Sequence, residues 1–198
     1  MISICSLKKS FNNPVLNNFN YTFESKNIYH VIGRNGAGKT TLLKLIKGIY
    51  VPDFGEIVLR NNLSTHKDIV FIDNNYRSFF HRLNVMDNLS YFQALQNNNA
   101  MISVLNNLIN HFELSALVKH KFSDLSQGQM QLISFIRGLS SNPRVILIDE
   151  GFSSLDKTNK EKVLEFILDY VEDNNALSII TSHESERILD QHSIKVEL

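Results

Sequence analysis

A glycine-rich segment near residue 35 has the residue types and the spacing needed to bind a chain of phosphates. Residues 33–40 fit the pattern G-x-x-x-x-G-K-[ST] in full. Glycines let successive backbone N–H groups point inward, where they can surround phosphate oxygens. Lys39 can then reach the β- and γ-phosphates of a nucleotide, and the Thr40 hydroxyl can ligate Mg²⁺. The predicted nucleotide-binding residues are Gly33, Arg34, Asn35, Gly36, Ala37, Gly38, Lys39, Thr40 and Thr41.

A chance match in an ordinary glycine loop is the alternative interpretation of this segment. The context argues against it, because a strongly apolar run, "NIYHVIG", comes before the segment and a helical pattern, "KTTLLKLIK", comes after it. A strand, a glycine loop and a helix in this order place the positive end of the helix dipole at the phosphates. Thr41 has no required role in this chemistry and is also consistent with a plain helical residue.

Two acidic residues follow a second apolar run at "VILIDE", residues 145–150. In parallel α/β sheets, ligands bind outside the carboxyl ends of the strands, which is where Asp149 and Glu150 would lie. Asp149 is placed to hold Mg²⁺ through water, and Glu150 is placed to polarise an attacking water molecule. The alternative is a pair of solvated acids in a loop.

Three further segments complete an ordered set of motifs. "LSQGQ" occupies residues 125–129, "SSLD" follows at 153–156, and "TSHE" at 181–184. Together with the glycine loop and the "VILIDE" strand, this order resembles the ATP-binding subunits of ABC transporters over essentially the whole chain. "LSQGQ" is similar to the family signature L-S-x-G-Q, which is far more specific than the glycine loop alone.

The resemblance implies an ATP- and Mg²⁺-dependent ATPase in which two domains pair head to tail, with each ATP lying between the glycine loop of one and the signature of the other. Glu150 and His183 would be catalytic, His183 by contacting the γ-phosphate and orienting the water. Asp156 would lie in the loop that crosses the dimer interface. Phe11 matches the aromatic residue that stacks on adenine, although it could also be a core phenylalanine at a strand end. The signature residues acting on the partner's ATP would be Leu125, Ser126, Gln127, Gly128 and Gln129.

Several positions depart from the family pattern. The family normally has a glutamine that touches Mg²⁺ after the strand "DIVFID", and here Asn74 or Asn75 stands in its place. Asparagine has the same amide on a stem that is shorter by one methylene. Gln127 stands where glycine is common, and Gly151 and Phe152 replace the usual proline and small residue. None of these changes removes a group that handles phosphate, so catalysis is expected to survive.

Apolar patterning predicts the strands and helices that carry these residues. Apolar runs without alternation, interleaved with helical patterns, indicate a mainly parallel sheet covered on both faces, and together with the glycine loop they predict an α/β P-loop NTPase fold. Alternating runs at the start indicate an N-terminal antiparallel β subdomain. Residues 84–139 are predicted to form a small inserted helical subdomain within one ATPase domain spanning 1–198. Strands are predicted at 2–7, 19–23, 27–33, 52–59, 68–73, 144–150, 176–183 and 193–198, and the main helices at 39–47, 126–139, 157–174 and 184–190.

Charge balance and apolar run length limit the classes of partner that we expect for this domain. Basic and acidic residues balance at 20 each, so no bulk charge favours nucleic acid, and no nucleic-acid partner is expected. No run approaches the ~18 apolar residues that span a bilayer. We therefore expect a cytoplasmic chain held at the inner face of the membrane by a membrane-spanning transporter subunit, and paired with a second ATPase domain as a homodimer. The aromatic residues Tyr76, Phe79 and Phe80 would either contact that subunit or pack the helical subdomain.

The predicted function is to energise a membrane transporter, with a lean towards export that rests on the brevity of the chain after His183. A soluble ABC ATPase acting as a switch on ribosomes or DNA is the alternative, and the absence of a coiled-coil insertion and of a basic tail argues against it. A small-molecule kinase with the same P-loop is a third class, which would have no use for the signature.

Overall fold

The computed structural model describes residues 1–95, 101–182 and 187–198. The strands are β1 (Ile2–Ser10), β2 (Pro14–Phe23), β3 (Asn27–Ile32), β4 (Phe54–Leu59), β5 (Ile69–Ile72), β6 (Val145–Asp149), β7 (Leu177–Thr181) and β8 (Ile194–Glu197). The α-helices are α1 (Lys39–Lys47), α2 (Val85–Leu95), α3 (Met101–His111), α4 (Gln127–Leu139), α5 (Lys157–Asp173) and α6 (Arg187–His192). Short 3₁₀ helices span Tyr76–Ser78 and Phe122–Asp124.

A three-stranded antiparallel sheet of order β2-β1-β4 contains the N-terminal hairpin. This confirms the predicted antiparallel β subdomain, but the first two strands are longer than predicted, reaching Ser10 and starting at Pro14. Apolar alternation ends earlier in both strands because their outer parts are largely exposed, while backbone pairing continues to the Ser10–Pro14 pair beside the turn. Phe11 therefore lies at the tip of a long hairpin.

A five-stranded parallel sheet of order β5-β6-β7-β3-β8 forms the centre of the molecule. Successive side chains of a strand point to opposite faces, so neighbouring residues of β6 join different cores. Ile146 and Ile148 pack on the face that carries α4 and α5, whereas Val145 and Leu147 pack on the face that carries α1 and the antiparallel sheet. Burial on both faces explains why these strands show continuous apolar runs, and it confirms the predicted α/β fold.

The helices begin and end where the sequence provides caps. α1 starts at Lys39 after Gly38 and ends before Gly48, whose φ of 79° suits glycine and whose N–H donates to the carbonyl of Leu45. α4 starts after Ser126, which forms a capping box with Gln129. α2, α3 and α4 all lie between β5 and β6 in the chain, within the segment predicted as a helical subdomain. The sequence also predicts a loop at the asparagine run 97–99, which lies outside the described residues.

Candidate functional site

The glycine loop leaves the carboxyl end of β3 and leads directly into α1. Gly38 caps the helix with a φ of 104°, a conformation that L side chains rarely adopt. A Cβ at Gly38 would also lie 2.9 Å from Cγ1 of Val15 on the hairpin. Glycine is therefore required here both by the backbone and by the close approach of β2.

Lys39 is only 5% exposed, and its ammonium is held beneath the loop. Its Nζ donates hydrogen bonds to the carbonyl oxygens of Gly33 at 2.8 Å and of Arg34 at 3.3 Å. A buried cation needs such acceptors to offset its lost hydration. The charge is thus already desolvated and faces the curve of the loop, where anionic oxygens would replace the carbonyls as stronger partners.

Thr40 and Asp149 lie together, although they are 109 residues apart in sequence. The Thr40 hydroxyl donates to Oδ1 of Asp149 at 3.0 Å, and the Thr181 hydroxyl donates to the same oxygen at 2.9 Å. Burial raises the pKa of Asp149 above its ordinary value of 3.8, and the two hydroxyl donors oppose that shift. A hydroxyl and a carboxylate at the edge of a phosphate loop form a suitable donor set for Mg²⁺, which commonly takes one or two carboxylates and completes its shell with phosphate oxygens and water.

Glu150 follows β6 in an unusual backbone conformation. Its φ of 53° is left-handed, which costs about 1–2 kcal/mol for a residue with a Cβ. Neighbouring strands and loops impose this conformation: the Glu150 N–H donates to the carbonyl of Thr181 at 3.1 Å, and the Glu150 carbonyl accepts from the Asn74 amide at 3.0 Å. Strain held in this way at a cleft is a feature of functional positions.

Close packing around residue 151 explains why glycine replaces the proline that is usual in the family. A Cβ at Gly151 would lie 2.7 Å from Cγ2 of Ile148 and 3.3 Å from Nε2 of Gln131. The turn after Glu150 therefore packs too tightly on β6 and α4 to accept a larger residue without movement. The neighbouring Phe152 is buried and stacks on Phe135 of α4.

A cleft of about 340 Å³ brings the predicted residues together at the carboxyl edge of the sheet. Its lining joins the hairpin to the phosphate loop and to Glu150, and Phe11 is 56% exposed at its border. Phe11 is thus not a core residue, and its ring meets the edge of Tyr50 with a centroid distance of 5.4 Å. The lining residues are Phe11, Val15, Asn35, Gly36, Gly38, Lys39, Thr40, Thr41 and Glu150.

The structure separates the two asparagines that the sequence left as alternatives. The Asn74 amide reaches across to the loop after β6, where it donates to the Glu150 carbonyl at 3.0 Å and to the Ser153 hydroxyl at 2.7 Å. The Asn75 side chain caps its own short helix by accepting from the N–H of Arg77. Of the two, Asn74 is the residue whose side chain contacts Glu150, which lines the cleft.

The signature segment lies at the start of α4, away from the cleft. Ser126 and Gln127 are exposed, and a Cβ at Gly128 would lie 2.9 Å from the carbonyl oxygen of Ser154. Among the described residues that line the cleft, none comes from 125–129. Asp156 caps α5 by accepting from the N–H of Asn159 at 2.8 Å, and this hydrogen bond lowers the pKa of its carboxyl.

His183 lies outside the described residues. Ser182, directly before it, is hydrogen bonded to Nε2 of the buried His30 on β3, at 2.8 Å. Thr181 was missed by the sequence analysis, although it contacts both Asp149 and the N–H of Glu150. Its position at the end of a predicted parallel strand beside β6 was the signal that could have identified it.

The aromatic residues within 76–80, predicted either to contact a membrane subunit or to pack the helical subdomain, include one buried ring and one exposed ring. Phe79 is 3% exposed, stacks on Phe122 at 4.2 Å between ring centroids, and lies 4.0 Å from the guanidinium carbon of Arg137. Phe80 is 43% exposed and meets the ring of Tyr91, which is 44% exposed. The buried ring belongs to the core that α2 and α4 share, and the exposed pair forms an apolar surface.

Metal-ligating clusters and membrane-spanning helices are both absent from the described part of the chain. Within residues 1–95, 101–182 and 187–198, no group of three or more His, Cys, Asp or Glu side chains is arranged to hold a metal ion. None of the helices in the same part of the chain combines the length and the apolar character needed to cross a membrane.

Comparison with known proteins identifies the family. The family model described as "ABC transporter" matches residues 16–153, and the chain belongs to this family as an ATP-binding cassette. The ergothioneine transport ATP-binding protein EgtV of Helicobacter pylori is 32% identical over 183 residues, which cover 88% of this chain and 85% of that protein. The expected P-loop fold and nucleotide-binding character are thereby confirmed.

Longer relatives include two import proteins. The sulfate/thiosulfate import ATP-binding protein CysA of Pseudomonas syringae pv. tomato is 29% identical, over 96% of this chain and 61% of that protein. The methionine import ATP-binding protein MetN of Legionella pneumophila is 31% identical, over 100% of this chain and 62% of that protein. The chain thus spans about three fifths of the length of these relatives. Both relatives are named as import proteins, which contradicts the expectation of export.

Solved structures share the fold over the whole chain. An ABC transporter ATP-binding protein from Pyrococcus furiosus superposes with a TM-score of 0.80 at 27% identity, covering 100% of this chain and 96% of that one. An ATP-binding cassette described as a dimer in a post-hydrolysis state, bound to ADP and phosphate, superposes with a TM-score of 0.85 at 20% identity, covering 100% of this chain and 94% of that one.

Proposed function

We propose that this chain is the ATP-binding and ATP-hydrolysing subunit that energises an ABC transporter through the pairing of two ATPase domains. The observation that carries the proposal is the cleft in which an exposed aromatic ring, a phosphate loop with its lysine, and Glu150 meet. The Thr40–Asp149 pair lies at the same edge of the sheet. These groups match the base, the phosphates, the metal and the attacking water of an ATP hydrolysis reaction.

The phosphate loop would bind the β- and γ-phosphates. The N-terminal N–H groups of α1 and of the loop supply donors and a positive dipole end. Lys39 would exchange its hydrogen bonds to Gly33 and Arg34 for bonds to phosphate oxygens, so that binding replaces neutral acceptors by charged ones. Phe11 would stack on adenine from the hairpin tip.

Thr40 and Asp149 would hold Mg²⁺, with Asn74 or Asn75 as a further ligand. The position of Asn74 beside the Glu150 carbonyl supports Asn74 over Asn75. The ion would neutralise charge on the phosphate oxygens and thereby lower the electrostatic barrier to attack. Thr181 would keep Oδ1 of Asp149 oriented.

Glu150 would act as the general base for the attacking water. The carboxylate would take one proton from water, the resulting oxygen would bond to the γ-phosphorus, and the bond from phosphorus to the β–γ bridging oxygen would break, leaving ADP. The hydrogen bonds that the Glu150 backbone makes with Thr181 and Asn74 hold the residue in place for this step. His183 would orient the same water and contact the γ-phosphate.

Pairing of two domains would complete the site. The signature residues are absent from the lining of the cleft, and the exposed start of α4 presents N–H groups that could bind phosphate in another copy. ATP would then lie between two chains and hold them together, and hydrolysis would weaken that contact. Asp156 would lie at the interface, and a homodimer is the simplest pairing.

A membrane-spanning subunit is the proposed partner of the exposed aromatic pair. Phe80 follows Asn74 by six residues in the chain and its ring contacts Tyr91, so contact with a partner would be transmitted along this segment to the Glu150 loop. The chain would then work at the cytoplasmic face of the membrane, and its balanced charge gives no reason to expect nucleic acid. The named relatives favour uptake over export, so the proposal does not retain the export expectation.

The test is capture of a tagged Glu150→Gln variant from its own cells with ATP and mild detergent, followed by mass spectrometry. The glutamine amide keeps the shape of the glutamate side chain but is a weaker proton acceptor than the carboxylate. Hydrolysis should therefore stop, and the ATP-bound state should persist. Lys39→Ala, which lacks a phosphate partner, is the control. A multispanning membrane protein recovered with the first variant and not the second supports the proposal. Recovery of ribosomal or DNA-bound proteins alone would support the soluble switch instead.

A further inference from the structure

The loop that follows α1 contacts the hairpin tip at Phe11. The Tyr50 and Phe11 rings meet edge to face, with a centroid distance of 5.4 Å and an interplanar angle of 70°. This is the edge-to-face arrangement that aromatic pairs prefer. Because Phe11 is 56% exposed, Tyr50 is a principal restraint on a ring that borders the cleft.

Asp53, from the same loop, holds the backbone next to Phe11. Its Oδ1 accepts from the Lys9 ammonium at 2.7 Å, and its Oδ2 accepts from the Ser10 N–H at 2.7 Å. One carboxylate thereby fixes both residues before Phe11. The Lys9 ammonium in turn lies 5.5 Å from the centre of the Phe11 ring, within reach of a cation–π contact.

Tyr50 is itself attached to the helix that begins at the phosphate loop. Its N–H donates to the carbonyl of Lys44 at 3.2 Å, and the Lys44 ammonium lies 5.7 Å from the Tyr50 ring centre. A helix is a stiff element, so the distance from Lys39 at one end of α1 to Tyr50 beyond the other end is nearly constant. α1 and Tyr50 thus fix the position of the hairpin tip relative to the phosphate loop.

We propose that Tyr50 and Asp53 are positioning residues that hold Phe11 where the base of a nucleotide stacks while its phosphates occupy the glycine loop. This inference rests on the proposed function, in which Phe11 stacks on adenine. An unrestrained ring at a hairpin tip would lose rotamer freedom on binding, and that loss would reduce affinity. With Tyr50 and Asp53 in place, the restraint exists before the nucleotide arrives.

The experiment compares a ligand with a base and a ligand without one. Dissociation constants of Mg-ATP and of Mg-tripolyphosphate are measured by calorimetry for the unmodified chain, Phe11→Ala, Tyr50→Ala, Tyr50→Phe and the double variant Phe11→Ala/Tyr50→Ala. The control is Phe54→Ala, which removes an exposed ring beyond the same loop that does not line the cleft. Lys39→Ala reports on the proposed function alone.

We expect Tyr50→Ala to weaken ATP binding about two- to tenfold, the range of one aromatic pair, and to leave tripolyphosphate binding unchanged. Tyr50→Phe, which keeps the ring, should restore ATP binding. The double variant should bind ATP no more weakly than Phe11→Ala, because Tyr50 acts only through Phe11. Asp53→Asn should weaken ATP binding by about two- to threefold, since one charged hydrogen-bond partner becomes neutral.

Three results would overturn the inference: unchanged ATP binding in Tyr50→Ala, an equal loss for ATP and tripolyphosphate, or additive losses in the double variant. If neither ligand binds the unmodified chain, or if Lys39→Ala binds both as well as the unmodified chain does, the proposed function itself fails. An ATP-selective loss in Phe54→Ala equal to that in Tyr50→Ala would also count against a specific role for Tyr50.

Discussion

Replacement of Phe79 by alanine should destabilise the domain without removing the exposed Phe80–Tyr91 pair that we propose as the contact with a membrane subunit. Phe79 is 3% exposed, stacks on Phe122 and lies under the Arg137 guanidinium. Truncation of a buried phenylalanine costs about 3–5 kcal/mol. The lost cation–π contact with the partly buried Arg137 adds about 1 kcal/mol, and the same burial lowers the pKa of Arg137 to about 10. A loss of this size is a large part of a typical domain's stability.

The measurement is chemical denaturation, with Phe79→Leu as a milder variant that should lose about 1–2 kcal/mol if the alanine variant does not fold. Phe80→Ala is the matched control, because Phe80 is 43% exposed and its removal should cost about 1 kcal/mol or less. Capture of the membrane partner should show the opposite order, with Phe80→Ala impaired and the folded Phe79→Leu intact. Equal stability of the two alanine variants, or normal capture by Phe80→Ala, would refute the division of this cluster into packing and contact residues.

Three other predictions follow from single positions. Gly38→Ala should abolish measurable ATP binding and lower the melting temperature, because its φ of 104° and the 2.9 Å approach to Val15 leave no room for a Cβ; unchanged calorimetric titration would contradict this. Ser126→Ala should lower the free energy of unfolding by about 1 kcal/mol through loss of the capping box with Gln129, and a denaturation midpoint equal to that of the unmodified chain would disprove it. Mg-dependent ATP affinity should fall with acidification at a pH above the ordinary Asp value of 3.8, because burial raises the pKa of Asp149 and its protonation removes a metal ligand; a pH-independent affinity that persists down to that value would rule it out.

Local signals in the sequence were sufficient to predict most of the strands and helices around the cleft. The helical pattern "KTTLLKLIK" predicted α1 with its bounds, and the helix predicted from residue 126 begins at Ser126, the cap of α4. Continuous apolar runs predicted β3, β6 and β7 because both faces of those strands are buried. The phosphate loop was identified by its glycine and lysine pattern, and the two acids by their position at the carboxyl end of such a strand.

Contacts between distant segments could not be predicted in this way. Asn74 and Asn75 have the same side chain, and only the approach of the β6 loop shows which of them faces Glu150. Phe79 and Phe80 differ in burial because Phe92 of α2, Arg137 of α4 and Phe122 enclose the Phe79 ring. The Phe80 ring instead meets the exposed Tyr91 ring at the surface of α2. Tyr50 gave no motif signal, since its role depends on a hairpin tip that lies 39 positions earlier in the sequence.

The most direct test of the central claim is the mass of the purified Glu150→Gln variant in solution, measured by light scattering with and without Mg-ATP. Because the signature segment is absent from the cleft of its own chain, ATP should bring two copies together. ATP-driven pairing predicts a species of twice the monomer's 22.7 kDa with ATP, and the monomer without ATP or when Gly128→Asp is added. A mass that stays at the monomer value while ATP is demonstrably bound would contradict ATP-driven pairing of this chain.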